Sequence, residues 1–243
     1  MEKFCFADLT VEMNCHFPLL KNRSRKYLLP PDDKRKADIT IDIDVNEFGR
    51  EMFHLPVNLS DELFEYTLAG ENFYRRLLSF NGMMLHSSVV EYKGRAYIFS
   101  ANSGVGKSTH THLWLDYIPD THILNDDKPA VRFFDGVYKA YGTPFSGKHD
   151  ESMNLGVPIG AICFIERAKT NSIRRLSPSE IVPLIYQQTT QPIFSEKHMG
   201  ILFGFLDGLL KEVPVYKLGC NISAEAVKTS FEQLTGEKFP KEL

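Results

Sequence analysis

The sequence predicts an α/β protein, in which a mixed β-sheet core with helices follows an N-terminal β/α elaboration. Three observations predict this class. Apolar and acidic residues alternate in "ADITIDIDV", as on a half-exposed strand. Two helical segments begin with cap residues, at Ser60 and Ser177. The strand-like "RAYIFSA" runs directly into a Gly/Ser turn and a helical segment. We interpret the 243 residues as a single domain, with the elaboration over 1–80 and the core over 81–243.

The composition excludes several classes of protein. Hydrophobic residues make up 43% and charged residues 24% of the chain, which is typical of a folded globular protein. The net charge of −3 offers no basic surplus to neutralise a phosphate backbone, so general nucleic-acid binding is disfavoured. The 4 cysteines form no CxxC pair, which argues against a zinc knuckle and favours free thiols in a reducing cytosol.

No targeting or membrane segment is visible in the sequence. The N-terminal "MEKFCFADLTVEMNC" lacks the basic stretch and apolar core of a signal peptide. The longest apolar runs, "GVPIGAICFI" and "MGILFGFLDGLL", are too short or too interrupted to span a bilayer. We therefore expect a cytoplasmic protein that does not associate with membranes.

The N-terminal elaboration is predicted to contain strands over 4–14 and 38–44 and a helix after Ser60. Asp61 and Glu62 in the first turn of that helix favour the positive end of its dipole, and Gly70 is a point where it could divide in two. The charged segment 21–38 contains Pro30-Pro31 and is predicted to be a surface loop.

The core is predicted to begin with a β-hairpin over 84–101 that turns at Lys93-Gly94. A helix should follow from Lys107 to about Tyr117, and then a strand, "THILNDD". The later elements are predicted in this order: strands "AVRFF" and "DGVYKAYG" with a turn at Asp135-Gly136, strand "GAICFIER", a helix with a capping box from Ser177 to Glu180, a helix near 195–211, strand "VPVYKL", and a last helix that stops at Gly236.

The stretch "ANSGVGKS", residues 101–108, has the residue types of a phosphate-binding loop. Such a loop needs glycines that let backbone N–H groups converge on anionic oxygens, a lysine that reaches the β- and γ-phosphates, and a hydroxyl for Mg²⁺. Ser103, Gly104, Val105, Gly106, Lys107, Ser108 and Thr109 are the predicted nucleotide-binding residues. The loop departs from the usual motif at Ala101, where a glycine is more common. The alternative is a solvated Gly/Ser turn, which the strand before and the helix after make less favourable.

The acidic end of "THILNDD" is the predicted partner of this loop. One of Asp126 and Asp127 can hold Mg²⁺ together with Ser108, and the other can accept a proton from an incoming hydroxyl. Repulsion between the two carboxylates would raise the pKa of one of them. We take Asp126 with Ser108 as the metal ligands and both acids as catalytic candidates, against the alternative of an exposed acidic turn.

Four other sites contain residue types that suit catalysis or binding. His86, before the hairpin, could contact phosphate or metal, or could be a structural histidine. Lys148, on the turn-rich "GTPFSGKH", could stabilise a transferring phosphoryl group or be a surface lysine. His110 and His112 are two apart on a helix, so they face different directions and are interpreted as structural or surface residues. Glu166-Arg167 could contact substrate, but a strand-end ion pair is favoured.

The stretch "LHSSVVEYKGRAYIFSANSGVGKST" is similar to the catalytic domain of the HPr kinase/phosphorylase family, and "NDD" resembles the acidic strand end that follows in that family. A loop of the same type occurs in phosphoenolpyruvate carboxykinase. Together with "YGTPFSGK", the chain most resembles small bacterial HPr-kinase-like or carboxykinase-like proteins, over about residues 80–170. The resemblance implies the fold of the HPr kinase C-terminal or carboxykinase domain, with ATP and Mg²⁺ as cofactors.

The resemblance also implies roles by position. Residues 103–108 would wrap the phosphates, Asp126 and Asp127 would share metal binding and base catalysis, His86 would lie near the transferred phosphate, and Lys148 would lie on the substrate side. Thr109 stands where HPr kinase has Glu, and the "EIRGLGI"-like segment of HPr kinase has no equivalent here, which disfavours HPr itself as the substrate. The chain also lacks the substrate-binding arginines of a carboxykinase.

The predicted function is an ATP- and Mg²⁺-dependent phosphotransferase that moves the γ-phosphate to a hydroxyl of a protein serine or a small molecule. The alternatives are a nucleotide-binding regulatory protein without turnover and a carboxykinase-like lyase. The predicted partners are a nucleoside triphosphate and a hydroxyl acceptor. The oligomeric state stays open, although the resembled kinases form oligomers. The basic and aromatic segment Arg23–Tyr27 could be an acceptor-docking surface, but a packed flank with a solvated loop is favoured.

Overall fold

The computed structural model describes residues 1–44, 59–189 and 196–240, and the side chains of all of these except 196 and 197. In the N-terminal elaboration, β1 (Glu2–Phe6) and β2 (Leu9–Met13) form an antiparallel hairpin, and β3 (Ile39–Ile41) pairs parallel to β2. The prediction of one strand over 4–14 was wrong. Ala7 and Asp8 both have positive φ, 54° and 53°, and turn the chain back on itself.

The charged segment predicted to be a surface loop is helical in its first part. Helix α1 (Pro18–Ser24) starts with proline in its first turn, which suits the fixed φ of that residue, and a 3₁₀ turn (Arg25–Tyr27) continues it. Tyr27 is only 1% exposed, so this part of the segment packs into the protein. The interpretation of Arg23–Tyr27 as part of a packed flank therefore fits residues 18–27. The predicted surface loop is confined to the residues after Tyr27.

Helix α2 (Asp61–Leu77) begins at the predicted cap, where the Ser60 side chain accepts a hydrogen bond from the Leu63 N–H. Gly70 does not divide it. A Cβ at this position would lie 3.0 Å from the Phe145 ring, so the glycine lets that ring pack against the helix. Phe145 belongs to an aromatic cluster with Phe6 and Phe73, which joins the N-terminal elaboration to the core.

Within the described residues the core is a nine-stranded mixed sheet. Seven strands have the order β4-β8-β9-β10-β6-β5-β7, β12 also pairs with β10, and β11 pairs with β12. Its strands are β4 (Gly82–Met84), β5 (Ser87–Tyr92), β6 (Arg95–Ser100), β7 (Thr121–Asp127), β8 (Ala130–Phe134), β9 (Val137–Tyr141), β10 (Gly156–Arg167), β11 (Ser172–Arg175) and β12 (Val215–Cys220). The predicted hairpins are confirmed. Strands β4 and β11 were missed, because they have three and four residues and no clear alternation.

Strand β10 changes partners along its length. Its first residues pair antiparallel with β9, and its second half lies between β6 and β12, parallel to both. The sheet therefore branches at β10. The carboxyl ends of β6, β10 and β12 meet at one edge, which is where open α/β sheets bind ligands.

Helices cover both faces of this sheet. Helix α3 (Lys107–Tyr117) packs on β5 and β7 and on α6 (Ala224–Thr235), around the fully buried Trp114. On the other side, α4 (Pro178–Gln188) and α5 (Glu196–Glu212) contribute residues such as Ile185 and Leu209 to a second core. The capping box at Ser177 and the stop of α6 at Gly236, with φ of 74°, are as predicted. Among the described residues, no helix combines the length and the apolar character needed to cross a membrane.

Candidate functional site

The glycine loop, residues 101–108, follows the central strand β6 and ends in the first turn of α3. Gly104 and Gly106 have φ of +77° and +126°, a region that side chains with a Cβ rarely adopt. No atom lies within 4 Å of where their Cβ atoms would be, so these positions require glycine for its backbone freedom. The loop therefore places backbone N–H groups and the positive end of the α3 dipole beside an open cavity.

Lys107 and Ser108 extend from the first turn of α3. The Lys107 ammonium donates to the Ala101 carbonyl oxygen over 3.0 Å, and the residue is 8% exposed. Burial lowers the pKa of Lys107, although the charges of Asp127 and Asp126 oppose the shift. The Ser108 hydroxyl donates to both carboxylate oxygens of Asp126, at 2.8 and 3.1 Å. The glycine loop and the end of β7 thus meet as the sequence predicts.

Asp126 and Asp127 end strand β7, opposite Ser88 and Ser87 of β5. Asp126 is 5% exposed. Asp127 has φ of +99°, which is strained for a residue with a side chain, and such strain is concentrated at functional sites. Burial alone would raise the pKa of Asp127, but the hydrogen bond from His86 and the charges of Lys128, His86 and Lys107 outweigh it and lower that pKa. The expected rise from repulsion therefore does not occur at Asp127.

His86 connects Asp127 to a residue that the sequence analysis missed. Its Nε2 lies 3.1 Å from Asp127 Oδ1, and its Nδ1 lies 3.0 Å from Gln188 Oε1. The Gln188 amide also donates to Asn102 Oδ1 over 2.7 Å, so it joins the end of α4 to the glycine loop. The side chain of Gln188 orients the imidazole ring. No sequence signal near Gln188 indicates this role, because its partners lie about one hundred residues earlier.

Lys148 lies on the 142–155 loop, which connects β9 to β10. The loop is tied to the end of β7 by a hydrogen bond of 2.6 Å from Gly147 N to Asp126 O and by a bridge between Asp127 and Ser146. From the other side Arg23 donates to Ser146 O over 2.5 Å and to the Tyr66 hydroxyl over 2.7 Å. The N-terminal elaboration therefore contributes to the position of Lys148.

One cavity of about 420 Å³ brings most of the predicted residues together. Those lining it are His86, Ser103, Gly104, Gly106, Lys107, Ser108, Thr109, Asp126, Asp127 and Lys148. Val105 is different, since it lines cavities on the other side of the glycine loop. Within residues 1–44, 59–189 and 196–240, no three His, Cys, Asp or Glu side chains cluster as a metal site. The hydroxyl of Ser108 and the carboxylate of Asp126 are the oxygen ligands that suit Mg²⁺, which keeps several water or phosphate ligands.

The sequence favours a strand-end ion pair at Glu166-Arg167, and in the structure only Glu166 forms one among the described residues. Glu166 pairs with Lys217, at 2.7 Å. The Arg167 guanidinium instead donates to the carbonyl oxygens of Gly104 and Val105, at 2.5 and 3.2 Å. By binding these two carbonyls, Arg167 supports the orientation of the glycine loop.

The two histidines of α3 point in different directions, as expected. His110 bonds to Ser230 over 2.9 Å, and burial lowers its pKa to about 4, so it is a neutral structural residue. His112 contacts the carbonyl oxygen of Ser108 at 2.6 Å and Glu151 at 3.0 Å. It links α3 to the 142–155 loop.

A family model described as SynChlorMet cassette protein ScmC matches residues 60–233 of the chain. No curated protein is similar enough to match. Among solved structures, one described as the Hpr(Ser) kinase/phosphatase from Coxiella burnetii is 12% identical, covers 63% of this chain and 93% of its own, and has a TM-score of 0.35. A structural similarity with so low a TM-score and sequence identity carries no information about the chemistry of the site.

Proposed function

The chain belongs to the SynChlorMet cassette protein ScmC family, and we propose that it is an ATP- and Mg²⁺-dependent phosphotransferase of the HPr kinase type. The proposed reaction moves the γ-phosphate to a hydroxyl of a protein serine or a small molecule. One observation carries the proposal: the Ser108 hydroxyl contacts Asp126 while His86 contacts Asp127, and both pairs line the cavity of the glycine loop.

The glycine loop supplies the phosphate site. Its backbone N–H groups and the N-terminus of α3 attract the anionic oxygens, and Lys107 adds a cation that is largely shielded from water. Among the described residues, the Lys107 ammonium donates one hydrogen bond, to the Ala101 carbonyl oxygen, and an ammonium group has three donors. The β- and γ-phosphates are the proposed acceptors of the others.

Ser108 and Asp126 are the proposed protein ligands of Mg²⁺. When bound, the ion neutralises charge on the β- and γ-phosphate oxygens and helps to align the leaving group. The contact between Ser108 and Asp126 already directs the two oxygen ligands to one point. This arrangement fits the usual binding of Mg²⁺ through one or two protein ligands, with water and phosphate oxygens completing the shell.

Asp127 is the proposed base. As the acceptor oxygen forms a bond to the γ-phosphorus, the bond from that phosphorus to the β–γ bridging oxygen breaks, ADP leaves, and the hydroxyl proton passes to Asp127. A carboxylate with a lowered pKa is ionised at neutral pH and orients the hydroxyl, which suits a loose transition state with late proton transfer. His86, held by Gln188, positions that carboxylate, and Lys148 is proposed to neutralise charge on the transferring group.

The test uses γ-labelled ATP with Mg²⁺ and either water or a lysate of the host as acceptor. Asp127→Asn should reduce phosphate transfer about 10²- to 10⁴-fold, the usual contribution of a general base. Its affinity for Mg·ATP, measured by calorimetry, should stay close to that of the unmodified protein. Asp135→Asn, in an exposed turn between β8 and β9, is the matched control and should leave both quantities unchanged.

Other outcomes would contradict the proposal. Mg·ATP binding without any transfer would indicate a regulatory nucleotide-binding protein instead. Release of CO₂ from added oxaloacetate would indicate a carboxykinase-like lyase. The absence of both heat and a shift in thermal unfolding with Mg·ATP would exclude all three functions.

A further inference from the structure

A second cavity, of about 450 Å³, lies on the other side of the glycine loop. It is bounded by the loop, by the first turns of α3 and by the chain just beyond β10 and β12. Gly104, Gly106 and Thr109 line both this cavity and the one that contains Asp126 and Asp127. A molecule whose phosphates lie against the glycine loop can therefore extend its other end into the second cavity.

The walls of this second cavity are mainly apolar. Leu113, Ile165, Ala168, Cys220 and Ile222 contribute to them. Ile222 is 78% exposed, more than any other large hydrophobic residue among those described, although it follows a buried strand. An exposed isoleucine beside a concave apolar surface offers a flat ligand a face to pack against.

Three polar side chains at the second cavity, those of Arg167, Asn221 and His110, already have partners, whereas Thr109 is exposed. The guanidinium of Arg167 is bound to carbonyls of the glycine loop. The Asn221 amide donates to Lys169 O, and its carbonyl oxygen accepts from Ser223. His110 bonds to Ser230. The walls thus offer apolar contact area for a ring system but few side-chain groups that can hydrogen-bond to the edge of the ring.

The position of this cavity also fits a ligand site. The carboxyl ends of β6, β10 and β12 meet there, and the crevice outside such ends is the usual binding place in open α/β sheets. Its volume falls within the range of about 300–1,000 Å³ that is common for small-molecule sites.

We propose that this cavity holds the nucleoside part of the bound nucleotide, with the base packed against Ile222 and Ala168, and that it discriminates weakly between bases. The inference rests on the proposed function, because it takes the phosphates to lie against the glycine loop.

The experiment is calorimetry in Mg²⁺ with ATP, GTP, CTP and inorganic tripolyphosphate. Ile222→Ser should weaken ATP binding about five- to tenfold, since part of an apolar contact is lost, and should leave tripolyphosphate binding unchanged. Ala168→Trp, which fills the cavity, should act in the same direction. Leu63→Ser, at a 41% exposed position on α2, is the matched control and should change neither. ATP, GTP and CTP should bind within about fivefold of one another.

The outcomes separate the two proposals. If tripolyphosphate binds and neither cavity variant weakens ATP selectively, the nucleoside site is wrong and the phosphate site stands. If neither ATP nor tripolyphosphate binds, both proposals are wrong. A preference of about 100-fold for one base would overturn the claim of weak discrimination. Thermal unfolding of each variant checks that it is folded, and the two variants change the cavity in opposite ways, so one unstable variant does not decide the result.

Discussion

The glycine loop and the 142–155 loop border the same cavity but are held in place by different means. The glycine loop is a direct continuation of β6 into α3, and its shape follows from residues next to one another in the chain. The 142–155 loop is held from far away, by Arg23 and Lys26 of the N-terminal elaboration and by the Asp126 carbonyl. Local sequence therefore determines the shape of one side of the site, which Arg167 and Gln188 support from a distance, whereas long-range packing determines the other side.

The glycines of the two loops show the same contrast. Gly104 needs its positive φ and has open space around it. Gly142 has no such φ, but a Cβ there would lie 1.9 Å from Met153 O and 2.6 Å from Leu124 O. The first glycine is required by the backbone conformation, and the second by a close approach of two other chain segments. Only the first kind can be recognised from a motif.

The strongest test of this comparison uses the lysine of each loop. Lys107→Met should weaken Mg·ATP binding about 100-fold, because charge-assisted hydrogen bonds to the phosphates are lost. Lys148→Met should leave that affinity nearly unchanged and slow phosphate transfer about 10²-fold. Each variant is the charge-matched control for the other. Equal losses of binding in both would show that the two loops do not have separate roles.

A second test compares the glycines. Gly142→Ala should destabilise the protein by about 3 kcal/mol, the upper end of overpacking effects, because the neighbouring atoms belong to the backbone. Gly104→Ala should cost about 1 kcal/mol through backbone strain, and it should also weaken nucleotide binding. Chemical denaturation and calorimetry measure the two effects. Unchanged stability of Gly142→Ala would mean that the loop can move aside freely.

The smallest expected effect concerns the bracing of the 142–155 loop. Arg23→Met removes the bonds to Ser146 O and the Tyr66 hydroxyl, so transfer should fall about tenfold while Mg·ATP affinity is kept. Arg25→Met, at an exposed position in the next turn, serves as its control. A transfer rate of Arg23→Met equal to that of the control would show that the N-terminal elaboration does not influence the site.

Much of the fold followed from local patterns. The cap at Ser60, the hairpin turn at Lys93-Gly94 and the start of α3 at Lys107 were predicted because each depends on a few consecutive residues. The hairpin turn at Ala7-Asp8 was missed, since Ala7 is not a residue type that marks a positive φ and a single aspartate is a weak turn signal. Helix α1 was missed because its charged residues are typical of a loop.

The candidate site divides in the same way. The glycine loop with Lys107 and Ser108, and the acids at the end of "THILNDD", are visible in the amino-acid order, because phosphate binding needs several residue types close together. The contacts of Gln188, Arg167 and Arg23 depended on tertiary structure. Each joins segments separated by 43 to 123 positions, and a side chain's distant partners leave no trace in its own neighbourhood. The lowered pKa of Asp127 has a mixed origin: the hydrogen bond from His86 and the charge of Lys107 come from folding, whereas the charge of Lys128 comes from its sequence neighbour.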